Sequence, residues 1–121
     1  MRHWASIEPN PWNKDLRWST DYGTRMNHLL HCAAVVALPG GVGTLSEMAI
    51  IWAASQTEKP ALPLVLLGEC WPPVINSIRS HLIVSDEDLA LLRFAASPDE
   101  AVREVRAGLQ ENKQMGHGPR G

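Results

Sequence analysis

Apolar residues follow two patterns along the chain, short runs and longer segments with helical spacing. The short runs have the length of buried parallel strands, and they span residues 33–38 and 62–67. Residues 92–95, which include Arg93, are the candidate for a last strand. Segments typical of helices lie before, between and after these predicted strands, at residues 20–31, 44–56, 72–80, 85–92 and 97–110. This alternation predicts the α/β class, with a parallel sheet flanked by helices.

Several of these helices have recognisable start signals. Ser97 and Glu100 are spaced as a capping box, in which each side chain accepts a hydrogen bond from an early backbone amide. Ser85 is a candidate N-cap for the helix that follows it. Pro72 and Pro73 fit the first turn of a helix, where a missing backbone N–H costs little.

The segment at 44–56 is apolar on nearly every side, with Leu45, Met48, Ala49, Ile50, Ile51, Trp52 and Ala53. A helix of this kind is expected to be buried on more than one face. A subunit interface would explain that burial, so we expect a homodimer or a larger homo-oligomer.

The two ends of the chain lack a clear period. Residues 1–19 contain three tryptophans among proline and asparagine, and we interpret them as an irregular arm that packs in part against another surface. Residues 112–121 contain three glycines and a proline and are predicted to be disordered. The folded domain is therefore expected to span residues 20–111.

The length, charge and cysteine content of the chain exclude several classes of protein. A chain of 121 residues that is 45% hydrophobic is expected to form one domain. Its 11 basic and 13 acidic residues give a net charge of −2, which disfavours nucleic-acid binding. Cys32 and Cys70 have no disulfide framework around them, and no apolar stretch reaches the length of a membrane span. We therefore expect a cytoplasmic protein with reduced thiols.

A glycine-rich turn, Pro39-Gly40-Gly41-Val42-Gly43-Thr44, joins the first predicted strand to the apolar helix. Glycines let the backbone turn sharply and approach a ligand closely, and the following helix directs free N–H groups and its positive dipole end at the same place. The turn has neither the lysine of a Walker A loop nor the spacing of a dinucleotide fingerprint. It predicts a site for an anion, and phosphate is the natural ligand.

Glu47 has two interpretations. It can form a capping box with Thr44, which would make it a structural residue. Alternatively, it is a fixed carboxylate beside the phosphate turn, since it is the only formally charged residue between Met26 and Thr57. A carboxylate near a helix N-terminus stays ionised at neutral pH and suits the stabilisation of positive charge.

The turn, with the strand before it and an arginine-bearing helix before that strand, resembles the signature of the Lonely Guy (LOG) family, whose members are often mislabelled as lysine decarboxylases. The resemblance covers about residues 25–109. It implies a partial Rossmann-like, doubly wound parallel sheet. Active members hydrolyse the N-glycosidic bond of a nucleoside 5′-monophosphate, typically a cytokinin nucleotide, and release a free base and ribose 5-phosphate.

The resemblance also implies residue roles. Gly40, Gly41, Gly43 and Thr44 would hold the phosphate, and Glu47 would act on the ribose. No metal and no cofactor is implied.

The family's second catalytic residue is an arginine in the helix before the motif strand. Arg25 is the only arginine of the predicted helix at 20–31 and is therefore the candidate for this role. The alternative is that Arg25 is a solvated residue near a helix start.

Complete members of the family begin with a further strand, glycine turn and helix, and residues 1–19 do not resemble that unit. Two alternatives to the enzyme therefore stay open. One is a non-catalytic nucleotide-binding module, similar to molybdenum-cofactor carrier proteins, and the other is an inactive truncated homologue.

One predicted helix also offers candidate metal ligands. His28, His31 and Cys32 are spaced so that one helical face could present two imidazoles and a thiol. No second ligand cluster accompanies them, so an ordinary helix face is the preferred interpretation.

Overall fold

The structure, a computed structural model, describes residues 18–116. The chain divides into two compact units between His31 and Cys32. The described part of the first unit is helix α1, Trp18–Leu30, so the helix predicted from residue 20 begins two residues earlier. Trp18 and Ser19 are thus helical, and the rest of the predicted arm, residues 1–17, lies outside the described residues.

The second unit alternates strands and helices as the sequence predicts. Its elements are β1 (Val35–Ala37), α2 (Val42–Ser55), β2 (Leu64–Leu67), α3 (Trp71–His81), α4 (Asp86–Ala90), β3 (Leu92–Ala95) and α5 (Pro98–Gly116). The strands form a parallel sheet in the order β1–β2–β3, with Val65 opposite Val36 on one side and Arg93 on the other. The α/β class and a partial Rossmann-like sheet are confirmed.

Helices cover both faces of the central strand β2. Val65 is fully buried against Ala95 and against Ala101 of α5, where Val105 also packs. Because side chains alternate along a strand, Leu64 and Leu66 point to the opposite face, where α2 contacts β2. The continuous apolar sequence of β2 is explained by this burial on both faces.

Helix α2 buries one face within the chain. Its buried residues are Met48, Ile51 and Ser55, whereas Val42 is 72% exposed and Leu45 is 42% exposed. The expectation of burial on more than one face is therefore not met by the described chain alone. The physical reason is that α2 packs on the sheet from one side, while Val42, Leu45 and Ile50 face outwards.

Helix α5 is longer than predicted. It runs to Gly116, so the predicted disorder is wrong for residues 112–116, and residues 117–121 lie outside the described part. Tertiary contacts account for the extension. Asn112 Nδ2 donates to the Ala61 carbonyl oxygen at 2.7 Å, and Arg93 binds the carboxylates of Glu104 at 3.0 Å and Glu111 at 2.5 Å.

Two predicted helix starts are confirmed. Ser85 Oγ accepts from Asp88 N at 3.0 Å, and Ser85 N donates to Asp88 Oδ2 at 3.0 Å, which completes a capping box. Ser97 Oγ accepts from Glu100 N at 3.2 Å, while Glu100 Oε1 accepts from the amide of Ala96 at 2.8 Å. Among the described residues, no helix is both long enough and apolar enough to cross a membrane.

Candidate functional site

The first two strands end side by side at one edge of the sheet. β1 and β2 are parallel neighbours, so the turns that follow them meet at their carboxyl ends. At Gly68 φ is 131°, and a Cβ there would lie 2.8 Å from Pro39 Cγ. Glycine at position 68 thus lets the turn after β2 lie directly against the glycine-rich turn after β1.

The N-terminus of α2 is open to an anion. Its N-cap is Gly41, which has no side chain to cap the helix, and the amide of Leu45 donates to the Gly41 carbonyl at 3.1 Å. The amides of Val42, Gly43 and Thr44 come before that first intrahelical bond, so they have no acceptor within the helix. The first turn of the helix carries no acidic residue. A Cβ at Gly41 would meet nothing within 4 Å, so there is open space at this position. These features suit an anion such as phosphate.

Gly40 and Thr44 are in close contact across the turn. A Cβ at Gly40 would overlap Thr44 Oγ1 and would lie 3.1 Å from Thr44 Cβ. The Thr44 hydroxyl therefore lies against the Gly40 backbone, and only glycine leaves room for it.

The capping-box interpretation of Thr44 and Glu47 is wrong. The helix begins at Val42, so Thr44 is its third residue and Glu47 lies beyond the first turn. The predicted start at Thr44 followed a strong local signal, but the helix extends back to the end of the glycine turn. Glu47 is half-buried and lies four residues after Gly43 and three after Thr44, on the same helical face. Its carboxylate therefore shares a face with the residues of the turn.

Arg25 lies in α1, in the other compact unit, and is exposed. Its assignment to the site stays a prediction.

Trp71 is a residue that the sequence reasoning missed. It is the first residue of α3 and is 4% exposed, yet its indole Nε1 finds no hydrogen-bond acceptor within residues 18–116. Leaving a buried donor unpaired costs about 1–3 kcal/mol. Trp52 offers a contrast, because its Nε1 donates to the Asp88 carbonyl at 2.9 Å. The available sequence signal was a tryptophan three residues after Gly68, at the end of a buried strand.

The candidate metal ligands do not form a metal site in the described part of the chain. His31 Nδ1 lies 2.7 Å from the carbonyl oxygen of Asn27, one turn earlier in α1. Across residues 18–116, no group of three His, Cys, Asp or Glu side chains is arranged to hold a metal ion.

Comparison with known proteins identifies one family. The family model described as "Possible lysine decarboxylase" matches residues 7–105, which is most of the chain. No curated protein and no solved structure gives a significant match.

Proposed function

Because the chain belongs to the family described as "Possible lysine decarboxylase", which is the LOG family, we propose that it is a phosphoribohydrolase. Its substrate would be a nucleoside 5′-monophosphate similar to a cytokinin nucleotide. The observation that carries this proposal is the open N-terminus of α2, where the amides of residues 42–44 face the carboxyl edge of the sheet without a side-chain cap. A phosphate bound there would fix the position of the attached ribose.

Glu47 is the proposed catalytic carboxylate. Cleavage of the bond between C1′ and the base nitrogen leaves the electron pair on the base and builds positive charge on the sugar. A fixed carboxylate stabilises that charge and orients the water that adds to C1′. The water supplies a hydroxyl group to the sugar and a proton to the base, so the products are ribose 5-phosphate and a neutral free base.

Arg25 is proposed as the second catalytic residue, on the resemblance alone. A guanidinium close to the substrate would neutralise negative charge on the phosphate or on the leaving base.

We also propose a cytoplasmic homodimer. The outward apolar side chains of α2 include Val42, Leu45 and Ile50, which are 72%, 42% and 38% exposed. Glu47 is the only charged residue of α2. An apolar, nearly uncharged surface of this kind favours contact with a second copy of the same helix.

The test is release of free base from adenosine 5′-monophosphate and from an N6-substituted analogue, separated by chromatography. If Glu47 acts on the ribose, Glu47→Gln should reduce release by at least about 100-fold, as expected for loss of a charge-stabilising group. Binding of ribose 5-phosphate should be nearly unchanged. Glu58→Gln is the matched control, because Glu58 is an exposed glutamate just after α2.

The outcomes separate the alternatives. Base release that persists in Glu47→Gln would contradict the proposed mechanism. Binding of ribose 5-phosphate without base release by the wild-type chain would favour the non-catalytic nucleotide-binding module.

A further inference from the structure

We propose that the indole N–H of Trp71 is a ligand-binding donor, which takes an oxygen of the ribose in a ribose 5-phosphate unit held at the turn of residues 40–44. This inference rests on the proposed phosphate site and adds a specificity-determining residue to it. The structural basis is a buried donor without an acceptor among the described residues. It belongs to the first residue of α3, whose backbone is linked through Gly68 to the glycine-rich turn.

The backbone of Trp71 is linked to the glycine-rich turn through Gly68. Its backbone N–H donates to the Gly68 carbonyl at 3.4 Å, and Gly68 itself packs against Pro39, the first residue of that turn. The N-terminus of α3 is thus placed at the same edge of the sheet as the N-terminus of α2. Because adjacent strands lie about 4.8 Å apart, the second turn is within reach of a sugar attached to a phosphate at the first.

The indole is the distinctive donor at the start of α3. Pro72 and Pro73 occupy the next two positions and have no backbone N–H, so this helix cannot bind an anion as α2 can. The backbone N–H of Trp71 is already used by Gly68. The first turn of α3 therefore offers a neutral side-chain donor, which suits a hydroxyl or ring oxygen of a sugar.

The burial of the Trp71 indole supports a binding role for its N–H. An unpaired N–H destabilises the folded protein, and a phenylalanine in the same place would avoid that cost. The indole N–H becomes useful if a ligand oxygen pairs with it in the bound state. Since Trp71 is 4% exposed, a ligand must displace part of its cover to reach the nitrogen.

Nuclear magnetic resonance on the full chain provides the test, with inorganic phosphate and ribose 5-phosphate as separate probes. Ribose 5-phosphate should shift the Trp71 indole signal, while inorganic phosphate should shift the amides of residues 40–44 and leave that indole signal in place. The indole of Trp52 is an internal control, because it already donates to Asp88.

The outcomes distinguish the two proposals. If ribose 5-phosphate shifts the amides of residues 40–44 but not the Trp71 indole, the inference is wrong and the phosphate site stands. If it shifts neither, both are wrong. If inorganic phosphate shifts the Trp71 indole as strongly as ribose 5-phosphate does, the assignment to the sugar is wrong.

Substitution gives an independent measurement. Trp71→Phe removes the N–H and keeps an aromatic ring, so it should weaken binding of ribose 5-phosphate by roughly 3- to 10-fold, as for loss of one hydrogen bond. Binding of inorganic phosphate should stay within about twofold of wild type. Trp52→Phe should leave both affinities unchanged. Equal affinities for ribose 5-phosphate in wild type and Trp71→Phe would overturn the inference.

Discussion

Gly68 packs so closely on Pro39 that a Cβ at position 68 would lie 2.8 Å from Pro39 Cγ and 3.4 Å from its Cδ. This contact joins the turn after β2 to the glycine-rich turn after β1, and it holds the two helix N-termini at one edge of the sheet. Both proposals about ligand binding depend on that arrangement.

Gly68→Ala should therefore destabilise the protein. The backbone at position 68 has φ 131°, a conformation that residues with a side chain rarely adopt. The new methyl group would also collide with Pro39. We expect a loss of about 1–3 kcal/mol in the free energy of unfolding, measured by urea denaturation. Gly23→Ala is the control, because a Cβ there meets nothing within 4 Å and alanine favours the helix. A Gly68→Ala protein as stable as wild type would contradict the importance of the contact.

Gly40 and Gly41 should respond differently to substitution by alanine. Gly40→Ala forces Thr44 to move, because the new Cβ would overlap the Thr44 hydroxyl, whereas a Cβ at Gly41 has open space. We expect Gly40→Ala to weaken binding of ribose 5-phosphate at least about 10-fold, or roughly 1.4 kcal/mol, by isothermal titration calorimetry. Gly41→Ala should weaken it less, and the reverse order would argue against the assigned geometry.

The outward face of α2 predicts self-association. Introducing charge with Leu45→Lys and Ile50→Lys together should convert the proposed dimer to a monomer, because two lysines on each helix would repel across the interface. Light scattering at micromolar concentration measures the mass. Ile83→Lys is the control, since Ile83 is fully exposed and lies outside α2. A wild-type chain that is monomeric under these conditions would refute the dimer.

The lowered pKa of Asp88 predicts that the stability of the folded protein depends on pH. The hydrogen bond from the Gln56 side chain, and then that from the Ser85 backbone, lower the pKa of this carboxyl. A depressed folded-state pKa means that the stabilisation is complete above the unfolded pKa of about 3.9 and is lost as pH falls through the folded value.

Asp88→Asn should therefore reduce the difference in thermal stability between pH 6 and pH 3, the range roughly spanning that unfolded pKa. Circular dichroism melts at the two pH values measure this difference. Asp86→Asn, in the same helical turn, is the control. An unchanged difference in Asp88→Asn would show that these hydrogen bonds contribute nothing to the acid sensitivity.

The succession of strands and helices along the chain and the place of the glycine-rich turn follow from the sequence alone. β2 lies within the apolar run at 62–67, because burial on both faces requires continuous apolar sequence. β3 coincides with the strand predicted at 92–95. Ser85 capped its helix as predicted, since capping depends on residues three apart in the chain. The family was likewise identifiable from residues 39–47 and their surroundings.

Other features depend on contacts between residues far apart in sequence, and they become visible in the folded chain. Helix α2 begins at Val42, although the local pattern favoured a cap at Thr44. Helix α5 extends to Gly116, and the hydrogen bond between Asn112 and Ala61 supports this extension. The Trp71 indole N–H is buried without an acceptor among the described residues, which the sequence does not indicate. Local propensity contributes only tenths of a kcal/mol per residue, so packing and long-range hydrogen bonds override it at such positions.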